Sequence, residues 1–206
     1  MGNRDLSKID GNSGCTIKKE HQMSLLQRVE SEFENHIKIA SASTSLSGDI
    51  LQAARLCSQA LKNNNKVIFC GNGGSASDSQ HLCAELIGRL KKNRVPLAAV
   101  SLTADTAALT CIGNDFGYEQ VFSRQLEGIG KEGDILISIS TSGQSANIIN
   151  ALETAEKLKI KSIAFLGKGG GSALKICTQS ILVPSNNTGN IQEMHILIGH
   201  IVCGLI

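Results

Sequence analysis

Short apolar runs alternate with amphipathic stretches over most of the chain. The runs are continuous aliphatic or β-branched segments at 66–70, 97–101, 135–139, 162–166 and 180–183. Strands buried on both faces of a parallel sheet have this pattern, whereas half-buried strands alternate apolar and polar residues. Helical patterns separate and follow the runs near 76–90, 104–112, 119–129, 146–159 and 190–205. The chain is therefore predicted to be an α/β protein with a five-stranded, parallel, doubly wound sheet.

Two further helices are predicted ahead of the first strand. An apolar residue at every fourth position marks one face of the first helix, at Leu25, Val29, Phe33 and Ile37. Ser47 or Asp49 is expected to cap the second helix, and the asparagine run 63–65 to end it. Residues 1–22 are polar and without a period, so we expect a mobile extension before a single domain at 23–206.

Composition narrows the class of protein. A chain of 206 residues, 41% of them hydrophobic, can build one domain with a full core. A net charge of +2 and 3% aromatic residues give no basis for nucleic-acid binding. The seven cysteines are odd in number and lack paired CxxC spacing, which indicates free thiols in a reducing compartment. No run reaches the ~18 apolar residues of a membrane helix, and no signal core opens the chain, so a soluble, cytoplasmic protein is expected.

Two loops rich in serine and glycine carry the clearest functional signal, since each leaves an apolar strand and opens a helix. The first reads Gly-Asn-Gly-Gly-Ser over 71–75, and the second Ser-Thr-Ser-Gly-Gln-Ser over 140–145. Glycine lets the backbone approach a ligand closely, and free N–H groups at a helix start suit an anion. Neither loop has the lysine of a nucleotide-binding P-loop, so a sugar-borne phosphate is favoured. Helix capping is the alternative, but four hydroxyls in six positions exceed what one cap needs.

Histidine and carboxylate side chains are placed on two helices. His81 and Glu85 lie four residues apart and share one face, where they can hold a metal or divide acid–base work; a solvated helix face is the alternative. The last helix carries Gln192, His195 and His200 among many apolar residues. At 100° per residue, His200 lies about 80° from Gln192 and about 140° from His195. Gln192 and His200 can face one cleft, while His195 is expected to be a hydrogen-bonded histidine at a packing surface.

Five motifs in order resemble the SIS (sugar isomerase) domain and, within it, the phosphoheptose isomerases. They are 70–75, His81-x-x-x-Glu85, 113–117, 140–147, and 191–195 with His200. The resemblance runs from the helix at Ser24 to the end of the chain. It implies a SIS sandwich, a homotetramer with sites at subunit interfaces, and conversion of sedoheptulose 7-phosphate to D-glycero-D-manno-heptose 7-phosphate. The product would serve a bacterial surface glycan such as lipopolysaccharide or capsule.

The resemblance also implies roles for individual residues. One zinc ion per subunit would be held by His81, Glu85, Gln192 and His200. The substrate would be contacted by Asn72, Gly73, Gly74, Ser75, Glu85, Asn114, Asp115, Ser140, Thr141, Ser142, Ser145 and Gln192. We expect the phosphate to be held by Ser75, Ser140, Ser142 and Ser145. Taken without the resemblance, Asn114 and Asp115 would be an ordinary turn.

An aldose–ketose isomerase needs a base beside the carbonyl and a group that moves protons between the two oxygens. Glu85 is expected to be the base and His200 its acid–base partner, with a metal polarising the carbonyl oxygen. Either Glu85 leaves the metal during turnover or the metal mainly organises the site. Two alternatives are a non-catalytic SIS protein that contacts a replication initiator and a sugar-phosphate-sensing domain. The presence of Glu85 and His200 disfavours the first, and the lack of a DNA-binding domain disfavours the second.

One segment departs from the family pattern. An acidic residue and an arginine often precede the glutamine of the last helix, whereas this chain has Asn187 and Asn190 there. An acid–base or orienting role for that carboxylate is therefore in doubt, with consequences for rate or sugar preference. The fold prediction is unaffected.

Overall fold

A parallel sheet lies at the centre of the computed structural model, which describes residues 24–91 and 93–206. Within that range the sheet has five strands in the order β2-β1-β3-β4-β5, and every neighbouring pair is parallel. The strands are β1 Val67–Gly71, β2 Ala99–Ser101, β3 Ile135–Ser140, β4 Lys161–Leu166 and β5 Gln179–Leu182. The predicted fold class is thus confirmed. The extension predicted for 1–22 lies outside the described residues.

Helices pack on both faces of the sheet. They are α1 Leu25–Ser43, α2 Ser47–Lys62, α3 Gly74–Ile87, α4 Thr106–Phe116, α5 Ser123–Ile129, α6 Ala146–Lys157 and α7 Thr188–Leu205. Short 3₁₀ turns occur at Thr44–Leu46, Tyr118–Gln120 and Ala173–Lys175. None of the helices in the described part of the chain has the length and apolar character needed to cross a membrane.

Two hydrophobic clusters occupy the two faces of the sheet. Phe69 and Ile137 point to one face, where they pack with apolar side chains of α2, α3 and α7. Ile68 and Leu136 point to the other face, where they pack with α5 and α6. Adjacent residues of one strand are therefore both buried, because each face is covered by helices. This arrangement explains why the strands read as continuous apolar runs.

The junction between α1 and α2 differs from the prediction. Neither Ser47 nor Asp49 caps α2: the N-cap position is Leu46, which makes no side-chain capping bond. The physical reason is that a 3₁₀ turn joins the two helices directly, so the Ser47 N–H donates to the Thr44 carbonyl instead of to a capping side chain. At the other end of α2, Asn63 is the C-cap, so the predicted stop is confirmed.

The order of the strands places the two loops together. β1 and β3 are neighbours in the sheet, with Gly71 opposite Ile139, although β2 lies between them in sequence. Because parallel strands end at the same edge, the loops after β1 and β3 leave the sheet side by side. The direction of winding reverses between β1 and β3, and open α/β sheets bind ligands at such a point.

Candidate active site

Three side chains that can bind a metal converge between α3 and α7. The Nε2 atoms of His81 and His200 are 2.9 Å apart, and Oε1 of Glu85 lies 3.2 Å from Nε2 of His81. One ligand atom from each residue lies within 4.8 Å of the other two. The His81 side chain is 50% exposed and that of Glu85 20%, so a small molecule can reach the cluster. The structure therefore brings together three of the four residues predicted to hold a metal.

The cluster forms because α3 and α7 run side by side in the same direction. Gly74, at the start of α3, lies against the side chain of Gln192, and Leu82 lies against Gly199 further along. A methyl group at Gly199 would overlap the Leu82 side chain, so this close approach depends on glycine. His200, the next residue of α7, is thereby held against the polar face of α3.

The donor set fits a zinc ion. Imidazole nitrogens and a carboxylate oxygen are the usual ligands of catalytic zinc, which keeps a further position for water or substrate. Gln192 lies on the same side of α7 as His200, against Gly74 and close to the carboxyl group of Asp78. Its amide oxygen is the fourth predicted ligand. Gln192 lies where α7 faces α3, and these two helices carry the other three ligands.

Asp78 belongs to this site and was missed by the sequence analysis. Its side chain is 9% exposed, and among the described residues its Oδ2 has no hydrogen-bond partner. Burial raises the pKa of the Asp78 carboxyl above its usual value, while the Gln192 side chain, His81 and His200 act in the opposite direction. The spacing of three residues from Asp78 to His81 places both on one helix face, and this signal could have found it.

His195 points away from the cluster, as predicted. Its imidazole is fully buried, with Nε2 3.2 Å from the backbone oxygen of Leu166 at the end of β4. Burial lowers the pKa of His195 to about 4, although the Leu166 carbonyl acts in the opposite direction. The ring is therefore neutral at pH 7, with its Nε2–H donating to that carbonyl. The interpretation of His195 as a packing residue is confirmed.

The second loop keeps its hydroxyl donors available. Oγ of Ser140 accepts the N–H of Gly143 at 3.0 Å, and Oγ of Ser142 accepts the N–H of Gln144 at 3.3 Å. As acceptors, both hydroxyls can still donate their own hydrogens. Ser145 occupies the N-cap position of α6, yet its side chain makes no capping bond. Capping therefore leaves the hydroxyl hydrogens of these serines free to donate, which favours an anion as their partner. Thr141 lies half-buried between them.

The first loop turns from β1 into α3 through Gly73 and Gly74. Ser75 follows in the first turn of the helix and is 6% exposed. Its backbone oxygen accepts from Ser79, whereas no protein group in the described residues is hydrogen-bonded to its hydroxyl. The hydroxyl of Ser75 thus resembles those of the second loop in being available to a ligand.

The side chain of Asn72, in contrast, is engaged inside the protein. Its Nδ2 donates to Oδ1 of Asn147 at 2.8 Å, and its Oδ1 accepts from Nδ2 of Asn147 at 2.9 Å. The hydroxyl of Tyr118 donates to the same Oδ1 at 3.0 Å. Asn147 is 3% exposed and lies in the first turn of α6. The roles of Asn147 and Tyr118 were not predicted, because their contacts with Asn72 are not visible in the spacing of residues along the chain.

Asn114 and Asp115 lie in the last turn of α4, where the sequence analysis predicted a turn after a shorter helix. Nδ2 of Asn114 donates to Oδ1 of Asp115 at 2.7 Å, and the Cys111 thiol lies 3.6 Å from Oδ2. The helix continues to Phe116 instead of ending near 112, and it ends at Gly117, whose φ of 91° favours glycine. Both side chains are exposed and do not join the metal-binding cluster.

The segment that departs from the family pattern has a clear structural role. Asn187 is the N-cap of α7, and its Oδ1 accepts the N–H groups of Gly189 at 2.8 Å and Asn190 at 3.3 Å. Nδ2 of Asn190 donates to Glu193 at 3.4 Å. An asparagine cap of this kind contributes ~1 kcal/mol to a helix. Asn187 thereby fixes the start of the helix that carries Gln192 and His200.

Comparisons with known proteins agree with this geometry. Residues 25–167 match the family described as SIS domain. A phosphoheptose isomerase from Akkermansia muciniphila is 55% identical over 165 residues, which cover 80% of this chain and 87% of that protein. Solved phosphoheptose isomerases are similar in fold. The one from Neisseria gonorrhoeae has a TM-score of 0.84 at 42% identity, covering 88% of this chain and 97% of the other. The one from Francisella tularensis has a TM-score of 0.86 at 39% identity, covering 89% and 98%.

Proposed function

Because the chain belongs to the SIS-domain family and, within it, to the phosphoheptose isomerases, we propose that it interconverts sedoheptulose 7-phosphate and D-glycero-D-manno-heptose 7-phosphate. It is accordingly a sugar-phosphate isomerase. The observation that carries the proposal is the cluster of His81, Glu85 and His200. It lies between α3, which the first hydroxyl-bearing loop opens, and α7. We place the product in the supply of heptose for lipopolysaccharide or capsule.

We propose that the phosphate group binds between the two loops. Ser75, Ser140, Ser142 and Ser145 would donate their hydroxyl hydrogens to it, and Thr141 would contact the sugar. The hydrogen bonds described above support this assignment, since no capping bond occupies Ser145 and the others can still donate. Anchoring the phosphate fixes the far end of a seven-carbon chain, so the carbonyl end is delivered to the His/Glu cluster. Asn114 and Asp115 would contact the sugar between these two ends.

The metal that fits the cluster is zinc, one per subunit. His81, Glu85, Gln192 and His200 would hold it, and a bound zinc ion supplies Lewis acidity that polarises a carbonyl oxygen. The two imidazoles and the carboxylate already lie within ligand distance of one another, which supports the assignment.

The proton transfers are assigned to Glu85 and His200, each of which acts as acid or base when its side chain is not bound to the metal. His200 enters the reaction with its ring protonated. The Glu85 carboxylate takes the proton from C1 of the ketose, and the C–H electron pair becomes the C1–C2 double bond of an enediol. His200 gives a proton to the oxygen on C2 and accepts the proton from the oxygen on C1 as the new aldehyde forms. Glu85 then returns its proton to C2, so atoms and charges balance over one turnover. Asp78, buried close to Gln192, would orient that amide.

We also propose a cytoplasmic homotetramer with sites at subunit interfaces. The apolar stripe of α1 is exposed: Leu25 78%, Val29 55%, Phe33 68% and Ile37 62%. Apolar surface of this extent on a helix supports a covering subunit. All six cysteines in the described part of the chain are free, which suits a reducing compartment.

An activity assay with a metal control tests the proposal. Purified protein is incubated with sedoheptulose 7-phosphate and product formation is followed, before chelation, after chelation and after zinc is returned. We expect turnover that chelation abolishes and zinc restores. Absence of turnover in the zinc-loaded protein would overturn the proposed reaction. Turnover that survives full removal of metal would overturn the zinc assignment while leaving the reaction standing.

Binding of the phosphate is tested by a pair of serine variants. Ser75→Ala and Ser142→Ala each remove a donor to a charged group, so affinity for the sugar phosphate should fall about 10- to 100-fold. Ser77→Ala is the matched control, because Ser77 is an exposed residue of the same helix. Calorimetric titration gives the affinities. Wild-type affinity in both variants would show that the loops do not hold the phosphate.

A further inference from the structure

We propose that Asn147 is a positioning residue that sets the distance between the two phosphate-binding loops, an inference that rests on the proposed function. Asn72 lies in the first loop, and Asn147 lies in the first turn of the helix that follows the second. Their side-chain amides exchange two hydrogen bonds, at 2.8 and 2.9 Å. This reciprocal pair is the direct side-chain link that the structure shows between the two loop regions.

The pair leaves Asn72 little capacity to bind anything else. An asparagine oxygen accepts two hydrogen bonds and its nitrogen donates two. Oδ1 of Asn72 already accepts from Asn147 and from the Tyr118 hydroxyl, and Nδ2 already donates once. The Asn72 side chain therefore acts mainly on the protein, and one Nδ2 hydrogen and the backbone of this residue are left for the substrate.

The pair lies where its loss would change the distance between the two loops that hold the phosphate. Asn147 is 3% exposed, so its bonds with Asn72 are shielded from water. The partner Tyr118 belongs to the 3₁₀ turn that follows the segment carrying Asn114 and Asp115. The Asn72 amide thus ties together the two loops and the connection after α4, three regions that are separate in sequence.

The same helix provides a matched control. Asn150 is one turn further along α6, and its Nδ2 donates to the backbone oxygen of Glu119 at 3.0 Å. It therefore ties α6 to the same 3₁₀ turn, but it makes no contact with the first loop. Loss of Asn150 removes a hydrogen bond of similar kind without separating the two loops.

A double-mutant cycle tests the proposal in the zinc-loaded enzyme. Asn72→Ala, Asn147→Ala and the double variant are compared with wild type for KM, kcat and thermal unfolding, with Asn150→Ala as control. Each single variant should raise KM for sedoheptulose 7-phosphate about tenfold while kcat changes by less than about threefold. The double variant should lie within about twofold of the worse single one, since both remove the same interaction. Asn150→Ala should keep the wild-type KM.

Each outcome decides a different point. Additive effects on KM, or a lowered unfolding temperature with an unchanged KM, would overturn the positioning role. A wild-type enzyme without turnover would instead overturn the proposed function, so the two failures are distinguishable. Should Asn147→Ala not fold, Asn147→Leu fills most of the same volume and removes both hydrogen bonds to Asn72. It should raise KM about tenfold, and an unchanged KM would then overturn the proposal.

Discussion

At the scale of single residues, the proposed chemistry depends most on Glu85. Its carboxylate touches His81 at 3.2 Å, and its side chain is 20% exposed, so it is both organised and accessible. A glutamate in this position can bind a metal or abstract a proton, and the two roles compete for the same lone pairs. Replacing the carboxylate by an amide keeps the shape and loses the basicity, but it also weakens metal binding. Bound zinc is therefore measured beside kcat, so that loss of the base is distinguished from loss of the metal.

Glu85→Gln should lower kcat by on the order of 100-fold or more while the sugar phosphate still binds. Exchange of the substrate C–H hydrogen with deuterated solvent should fall in parallel, which locates the defect at proton transfer. Glu153→Gln, an exposed residue of α6, serves as the control for the loss of one carboxylate. Near-normal turnover and exchange in Glu85→Gln would eliminate Glu85 as the base.

Because His195 is buried as a neutral ring, we expect the stability of the protein to depend on pH. Its pKa is about 4 in the folded protein, against an ordinary value of 6.5. Between these values the unfolded chain binds a proton that the folded chain does not, so stability is lost as the pH falls from 6.5 towards 4. The shift corresponds to about 3 kcal/mol at the acid end of this window.

Urea unfolding at pH 7 and pH 4.5 measures this effect. His195→Gln keeps a donor for the Leu166 carbonyl but cannot titrate, so its stability should fall with acid by about 2–3 kcal/mol less than that of the wild type. Chelated protein is used in both cases, so that the other histidines contribute equally. The same acid sensitivity in both proteins would show that His195 does not cause it.

At the scale of elements, the contact between α3 and α7 determines whether the site exists. His81 and Glu85 belong to one helix and His200 to the other, and their ligand atoms meet because Gly199 lets α7 approach Leu82. A shift of α7 by the width of one methyl group is enough to separate His200 from His81, because metal binding tolerates changes of only about 0.2 Å.

Gly199→Ala should therefore reduce zinc content and turnover together, by at least about tenfold. Gly204→Ala is a sharp control, since a methyl group there meets its nearest neighbours at 3.7 Å, an ordinary contact. Because Gly204 lies in the last turn of α7, Gly204→Ala should change stability by less than about 0.5 kcal/mol. Bound zinc measured by atomic emission, together with kcat, distinguishes the variants. Full zinc occupancy and normal turnover in Gly199→Ala would contradict the role given to this contact.

At the scale of the whole molecule, the proposed assembly rests on the exposed stripe of α1 and the apolar surface of α7. Leu197, Ile201 and Leu205 of α7 are 40 to 53% exposed. The stripe of α1 described above is exposed as well. A helix that is apolar on nearly every side is buried in most proteins, so a second subunit is the expected cover.

Phe33→Asp places a charge in this stripe and should shift the particle from a tetramer to smaller species at micromolar concentration. Asn35→Asp introduces the same charge about 200° away around α1 and should leave the assembly intact. Light scattering coupled to size-exclusion chromatography gives the masses. A wild-type monomer would refute the assembly. If Phe33→Asp dissociates and loses turnover with its zinc ligands unchanged, sites at the subunit interfaces are supported.

The sequence by itself determined the fold class and supplied the candidate side chains of the site. Continuous apolar runs such as 135–139 reveal strands covered on both faces, because burial on both sides removes the need for polar residues. The spacing of His81 and Glu85, and the angle between His195 and His200, follow from the helical repeat alone. These features are local, so periodicity is sufficient to find them.

Tertiary structure decided what depends on contacts between distant segments. It brought His200 to His81 across 119 positions and paired Asn72 with Asn147 across 75. It buried Asp78 beside Gln192 and carried α4 through Asn114 and Asp115 to Phe116. No periodicity encodes such contacts, because they depend on strand order and on how closely two helices approach. The sequence therefore supplied the candidate groups, and the packing of α3 against α7 selected which of them meet.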